Sequence, residues 1–105
     1  MIEQFEFVGR LVQLPPSSER CGDNAVAVVY KFEVLEMIRG ETEHEFVLAM
    51  VPCPDLKAED FFVKNGVYKV EATNDLDEAG AYMVANSYVG ENLVLLWVQQ
   101  IMKVA

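Results

Sequence analysis

The stretch AVAVVYKFEVLEMI, residues 25–38, decides the fold class of this chain. Alternate residues such as Tyr30 and Phe32 share one apolar face, whereas Lys31 and Glu33 lie on the other. An apolar period of two, built from β-branched and aromatic residues, is typical of a half-buried strand and does not fit a helix. We therefore predict a long strand over this stretch.

Strand patterns recur on both sides of it. Further strands are predicted over residues 5–14, 45–51, 67–72 and 81–85. Gly9 is a candidate bulge within the first of these. Prolines begin a loop at Pro15 that runs to Asn24, and Asn65-Gly66 is a turn signal before the strand at 67–72. Residues 55–62 fit one short helical turn.

The last segment, residues 92–104, fits two structures. Leu93, Leu96, Trp97, Gln100 and Val104 lie at helical spacing. The same segment is dense in Val, Leu, Trp and Ile, as a buried strand is. We favour a strand, because every neighbouring element is β and no helix cap precedes the run.

Length and composition indicate one domain over residues 1–105. The chain has 105 residues, of which 52% are apolar, and it contains no repeat or linker. Five or six short strands with short connections predict a mainly β fold with at most one short helix, either a small antiparallel barrel or a sandwich.

The charge restricts the partners. Seventeen acids against eight bases give a net charge of −9. Because Lys and Arg supply most of the affinity for phosphates, nucleic acid and anionic membranes are poor partners. The longest apolar runs, of which residues 93–98 are one, have six residues and are too short to span a bilayer. The acidic N-terminus lacks the features of a secretory signal. This predicts a cytoplasmic protein, the alternative being an exported one whose signal has been removed.

Three segments together resemble the netrin-like domain, a family that includes the tissue inhibitors of metalloproteinases. They are YKFEVLEMIRGE (30–41), VPCPDL (51–56) and FVKNGVY (62–68), and the resemblance covers residues 26–72. It implies a five-stranded barrel of the OB type. The inhibitors place an N-terminal cysteine on the protease zinc, whereas this chain begins Met1-Ile2-Glu3 and has only two cysteines. Metalloprotease inhibition is therefore not supported, and oligonucleotide binding, common for OB barrels, is opposed by the charge.

The two cysteines, Cys21 and Cys53, allow two interpretations. If the second and third strands form a hairpin, both lie at its open end, where a disulfide is sterically feasible. The alternative is two reduced thiols, which we favour for a cytoplasmic protein. Together with His44 they are too few ligands for a metal site, so we expect no metal and no cofactor.

Catalytic chemistry finds little support. His44, between Glu43 and Glu45, is interpreted as a surface residue. The acidic loop around Asp75 lacks the EF-hand order and is interpreted as a solvated turn. Asp55, with Asp60 or Glu59, is one candidate carboxylate pair, and nothing in the sequence brings these side chains together. We predict that the chain is not an enzyme.

The leading hypothesis is a non-enzymatic interaction module that self-associates or binds a protein partner. Most aromatic residues are assigned to the core, but Tyr88 and Trp97 are candidates for an exposed aromatic contact. Leu93 and Leu95, in the apolar run, are candidates for the same contact surface. The alternative hypothesis is a carrier of a small apolar or cationic ligand, held in the barrel or on its face.

Overall fold

The structure is a computed structural model that describes residues 2–15, 21–22 and 24–105. Its strands are β1 (Gln4–Leu11), β2 (Val26–Arg39), β3 (Phe46–Pro52), β4 (Val67–Thr73), β5 (Met83–Ala85) and β6 (Leu95–Lys103). Two short 3-10 turns, Pro54–Leu56 and Asp77–Ala81, are the helical elements of the described part. The predicted fold class, mainly β with at most a short helix, is confirmed. Within the predicted loop 15–24, residues 16–20 and 23 lie outside the described residues.

Five strands close into an OB-like barrel. The order β1-β4-β6-β3-β2 returns to β1 through the β1–β2 pairing, and β5 is added outside the barrel, against the first residues of β2. The predicted barrel is confirmed, but its sheet is mixed and not antiparallel throughout as predicted. β3 pairs with β6 and β2 with β5 in parallel, while the other pairings are antiparallel. Long connections separate both parallel pairs along the chain, as parallel pairing requires.

The barrel interior is filled by large side chains. Phe7, Phe32 and Tyr68 are completely buried at its centre, and the Phe32 ring meets both of the others edge-on. The predicted bulge at Gly9 is confirmed by a register shift between Val8 and Gly9 in the β1–β2 pairing. A Cβ at Gly9 would lie 3.1 Å from the Phe32 Cβ, so glycine lets β1 pass close to this core residue.

The connection between β3 and β4 closes one end of the barrel. Phe62 stacks on Tyr30 at 4.4 Å between ring centroids. The Tyr68 hydroxyl donates a hydrogen bond to the Phe61 carbonyl at 2.6 Å and accepts one from the Val63 N–H at 2.9 Å. The predicted helical turn over 55–62 is shorter than expected, because only Pro54–Leu56 is helical and the rest of the segment packs its aromatic rings.

The last segment is a strand, as favoured. In β6, Leu96, Val98 and Ile101 belong to the barrel core. Their spacing changes from two to three residues because a register shift interrupts the β4–β6 pairing between Glu71 and Ala72. The same irregular spacing explains why the sequence also fitted a helical stripe. No helix in the described part of the chain is long and apolar enough to cross a membrane.

Candidate interaction surface

A second apolar cluster lies on the outside of the barrel. The connection between β4 and β6, residues 74–94, folds across the outer faces of β2, β3 and β6; we call it the strap. The buried members of this cluster are Ala27, Val29, Leu48, Met50, Tyr88 and Trp97. Because β2 and β3 are covered on both faces in this region, Ala27 and Val29 are as apolar as the residues that point inward.

The prediction that Tyr88 and Trp97 are exposed aromatic residues is wrong. Tyr88 is 5% exposed and Trp97 3% exposed, and the Trp97 ring packs against Tyr82 at 5.1 Å between centroids. Leu93 and Leu95 are half-buried against the same cluster. The structure therefore brings all four predicted contact residues together, but as internal packing between the strap and the barrel.

Polar contacts hold the strap in place. Lys31 Nζ lies 2.7 Å from Glu91 Oε1, and it stands over the rings of Phe46 and Tyr88 at 5.0 and 5.9 Å. Lys31 is only partly exposed, so this pair is screened less than a fully solvated one. The Gln13 amide donates a further hydrogen bond to the Tyr88 hydroxyl at 3.4 Å.

The strap also occupies the surface on which OB barrels bind their ligands. In such barrels, oligonucleotides and oligosaccharides lie on the outer face of the second and third strands, beside the loop before the last barrel strand. Here that loop is the strap, and its side chains Tyr82 and Tyr88 pack on this face. The strap and not the barrel face is the surface that meets solvent here.

The outer side of the strap exposes apolar residues. Val89 is 83% exposed, Met83 61% and Val84 44%. An open groove of about 240 Å³ beside β5 is lined by Val26, Met83, Val84 and Ala85. Sequence analysis missed this surface. The signal for it was present in residues 81–85, a short run of five apolar residues with no polar position to show which face is buried.

All charged residues of the strap are acidic. No Lys, Arg or His occurs between Glu71 and Met102, while the strap carries Asp75, Asp77, Glu78 and Glu91. Glu91 is paired with Lys31, but the other three form no ion pair with any described residue. Their loop is a turn: the Asp77 N–H donates to Asp75 Oδ1 at 3.1 Å. The interpretation as a solvated turn therefore agrees with the structure.

A disulfide fixes the end of β2 that lies beside β5. Cys21 and Cys53 are joined, with their Cα atoms 5.3 Å apart, so our preference for two reduced thiols is wrong. The Val26 N–H donates to the Cys21 Sγ at 3.2 Å, and the Cys53 N–H donates to the Val26 carbonyl at 2.9 Å. Val26, the first residue of β2, is thus held from two sides.

The candidate catalytic groups lie at the surface. Asp55, Glu59, Asp60 and His44 are exposed, and Asp55 Oδ1 accepts the Cys21 N–H at 3.0 Å. Two carboxylates that share acid and base roles need a buried setting to differ in protonation. Within residues 2–15, 21–22 and 24–105, no three His, Cys, Asp or Glu side chains converge to hold a metal ion.

Comparisons with protein-family models, with curated proteins and with solved structures found no match. The candidate surface is therefore described by the properties of its own residues alone. These properties are exposed apolar residues, an open groove beside β5 and charged residues that are all acidic.

Proposed function

We propose that this chain is a non-enzymatic interaction module that binds a basic protein partner through the outer side of the strap. The observation that carries the proposal is the combination of exposed Met83, Val84 and Val89 with a strap that has four acids and no bases. Apolar contact supplies affinity at such a surface, while charge steers and selects the partner.

Charge also favours a different protein over a second copy of this chain. Self-association through the strap would bring two surfaces of the same sign together, and like charges across an interface cost free energy. A partner that presents Lys or Arg next to apolar residues reverses that sign. The ligand-carrier alternative has less support, because Phe7, Phe32 and Tyr68 fill the barrel interior.

The resemblance to netrin-like domains adds nothing to this proposal beyond the barrel, since the N-terminal cysteine of the inhibitors is missing. The disulfide does bear on the compartment. Disulfides persist mainly in oxidising compartments, so Cys21–Cys53 supports the exported alternative over the cytoplasmic one.

The test is selection of a displayed random-peptide library on the immobilised protein, followed by affinity measurements of the enriched peptides. We expect sequences rich in Lys or Arg and apolar residues. Met83→Ser combined with Glu78→Lys should weaken them about tenfold or more, a change of about 1.4 kcal/mol.

The matched control is Leu35→Ser combined with Glu36→Lys, which alters an exposed apolar residue and an exposed acid on β2, away from the strap. This variant should bind as the unmodified protein does. A library that gives no enrichment, or equal losses in both variants, would contradict the proposal.

A further inference from the structure

The outer edge of β5 has main-chain groups that pair with no other described residue. The Met83 N–H donates to the Ala25 carbonyl of the β2 side at 2.8 Å. Amide groups of successive strand residues point to opposite sides, so the N–H and C=O of Val84 point away from β2. Among the described strands, β5 is the only one paired on a single side.

This edge is protected only by the short length of β5, three residues, and not by charge or proline. Lysine, proline or an inward charge normally prevents a foreign strand from pairing with such an edge. The β5 sequence, Met83-Val84-Ala85, has none of these, and the adjacent groove is lined by the same three residues with Val26. An added strand would find hydrogen-bonding groups on Val84 and an apolar site for one side chain.

From this geometry we infer that the basic partner binds by adding an extended segment as a strand to β5. The inference rests on the proposed function and names its mode of binding. In strand addition, main-chain hydrogen bonds give affinity, and sites for alternate side chains give selectivity. The segment therefore alternates apolar residues, one of which lies in the groove, with Lys or Arg, which are attracted to the acids of the strap.

Two strands can pair with this edge: the β5 of a second copy of this chain, or a segment of a basic partner. Charge complementarity favours the basic partner. Pairing of β5 with the β5 of a second copy would place Asp77 and Glu78 of both molecules near one another. A segment with alternate basic residues is attracted to the same carboxylates. Glu91 is already paired with Lys31, whereas Asp75, Asp77 and Glu78 form no ion pair with a described residue and are available to such a segment.

The test uses a synthetic peptide of alternating valine and lysine, labelled for fluorescence anisotropy. Val84→Pro removes the outward N–H without removing a hydrogen bond to β2, and edge strands tolerate proline there. Val84→Thr is the matched control, because it keeps the N–H and the β-branch. We expect Val84→Pro to weaken binding about tenfold or more and Val84→Thr by less than about threefold.

A second measurement uses the unmodified protein, so it does not require the proline variant to fold. The same peptide, N-methylated on alternate residues, cannot pair along one edge, and it should bind the unmodified protein about tenfold more weakly. A peptide of alternating valine and glutamate should not bind.

Failure of the strand-addition inference can be distinguished from failure of the proposed function. If Val84→Pro and N-methylation both leave binding unchanged while Met83→Ser with Glu78→Lys weakens it, strand addition is wrong and the proposed function stands. If the lysine peptide does not bind, or the glutamate peptide binds equally well, both are wrong.

Discussion

Removal of the Cys21–Cys53 disulfide should cost this domain a large part of its stability. The bond joins residues separated by 32 positions. In the chain-entropy relation, a loop of that length corresponds to about 3.7 kcal/mol at 25 °C. For a domain of this size the melting temperature should fall by about 15 °C. The segment that the bond closes contains β2 and β3, so much of the barrel is restrained in the unfolded chain.

The assay is urea unfolding of the oxidised protein, the reduced protein and the variant Cys21→Ala/Cys53→Ala. The last two should agree, and a reductant should not change the double variant. A loss below about 1 kcal/mol would refute the reasoning, because it would show that the bond does not restrict the unfolded chain as the relation requires. Titration of two free thiols in the unreduced, unfolded protein would refute it more directly.

Three further predictions concern the glycines, a buried tyrosine and the strap. Gly40 has φ 88°, and a Cβ there would lie 2.6 Å from an aromatic carbon of Phe5. Gly40→Ala should therefore lower the free energy of unfolding in urea by more than about 1 kcal/mol. Gly80 has open space around it, so Gly80→Ala should leave that free energy close to unchanged. Burial, with smaller contributions from Tyr68 and Asp55, raises the pKa of Tyr30 from 10.0 to about 12. The contribution of Tyr30 to the free energy of unfolding is therefore intact below pH 10 and is lost as the pH rises towards 12. In Tyr30→Phe, the free energy of unfolding should fall less over this pH range. Tyr82→Ala should shift the fluorescence of Trp97 to longer wavelength and increase its quenching by acrylamide, since Tyr82 packs on its ring; unchanged fluorescence would contradict the placement of the strap.

The sequence predicted those features that depend on local pattern. Alternation in residues 25–38 located β2 and its inward face, and the position of Gly9 gave the bulge. The strand at 92–104 was inferred from composition and neighbours, although the bulge beside Glu71 made its apolar spacing irregular. Local pattern does not specify strand partners, so the parallel pairings of β3 with β6 and β2 with β5 were not anticipated.

The surface was harder to predict, because burial on the outside of a barrel depends on what the rest of the chain covers. Tyr88 and Trp97 were expected to be exposed, and the strap buries both. The same folding leaves Met83 and Val84 exposed in a strand of three residues. Residues 93–98, which suggested an interface, are instead shared between the barrel core and the contact with the strap.

The most direct test of binding at the strap is amide chemical-shift mapping by NMR during titration with the valine–lysine peptide. Binding to the β5 edge should move signals of residues 83–91 and of the first residues of β2, and slow the hydrogen exchange of the Val84 amide. Signals that move mainly around Leu35 and Ile38, at the other end of β2, would contradict the proposed surface.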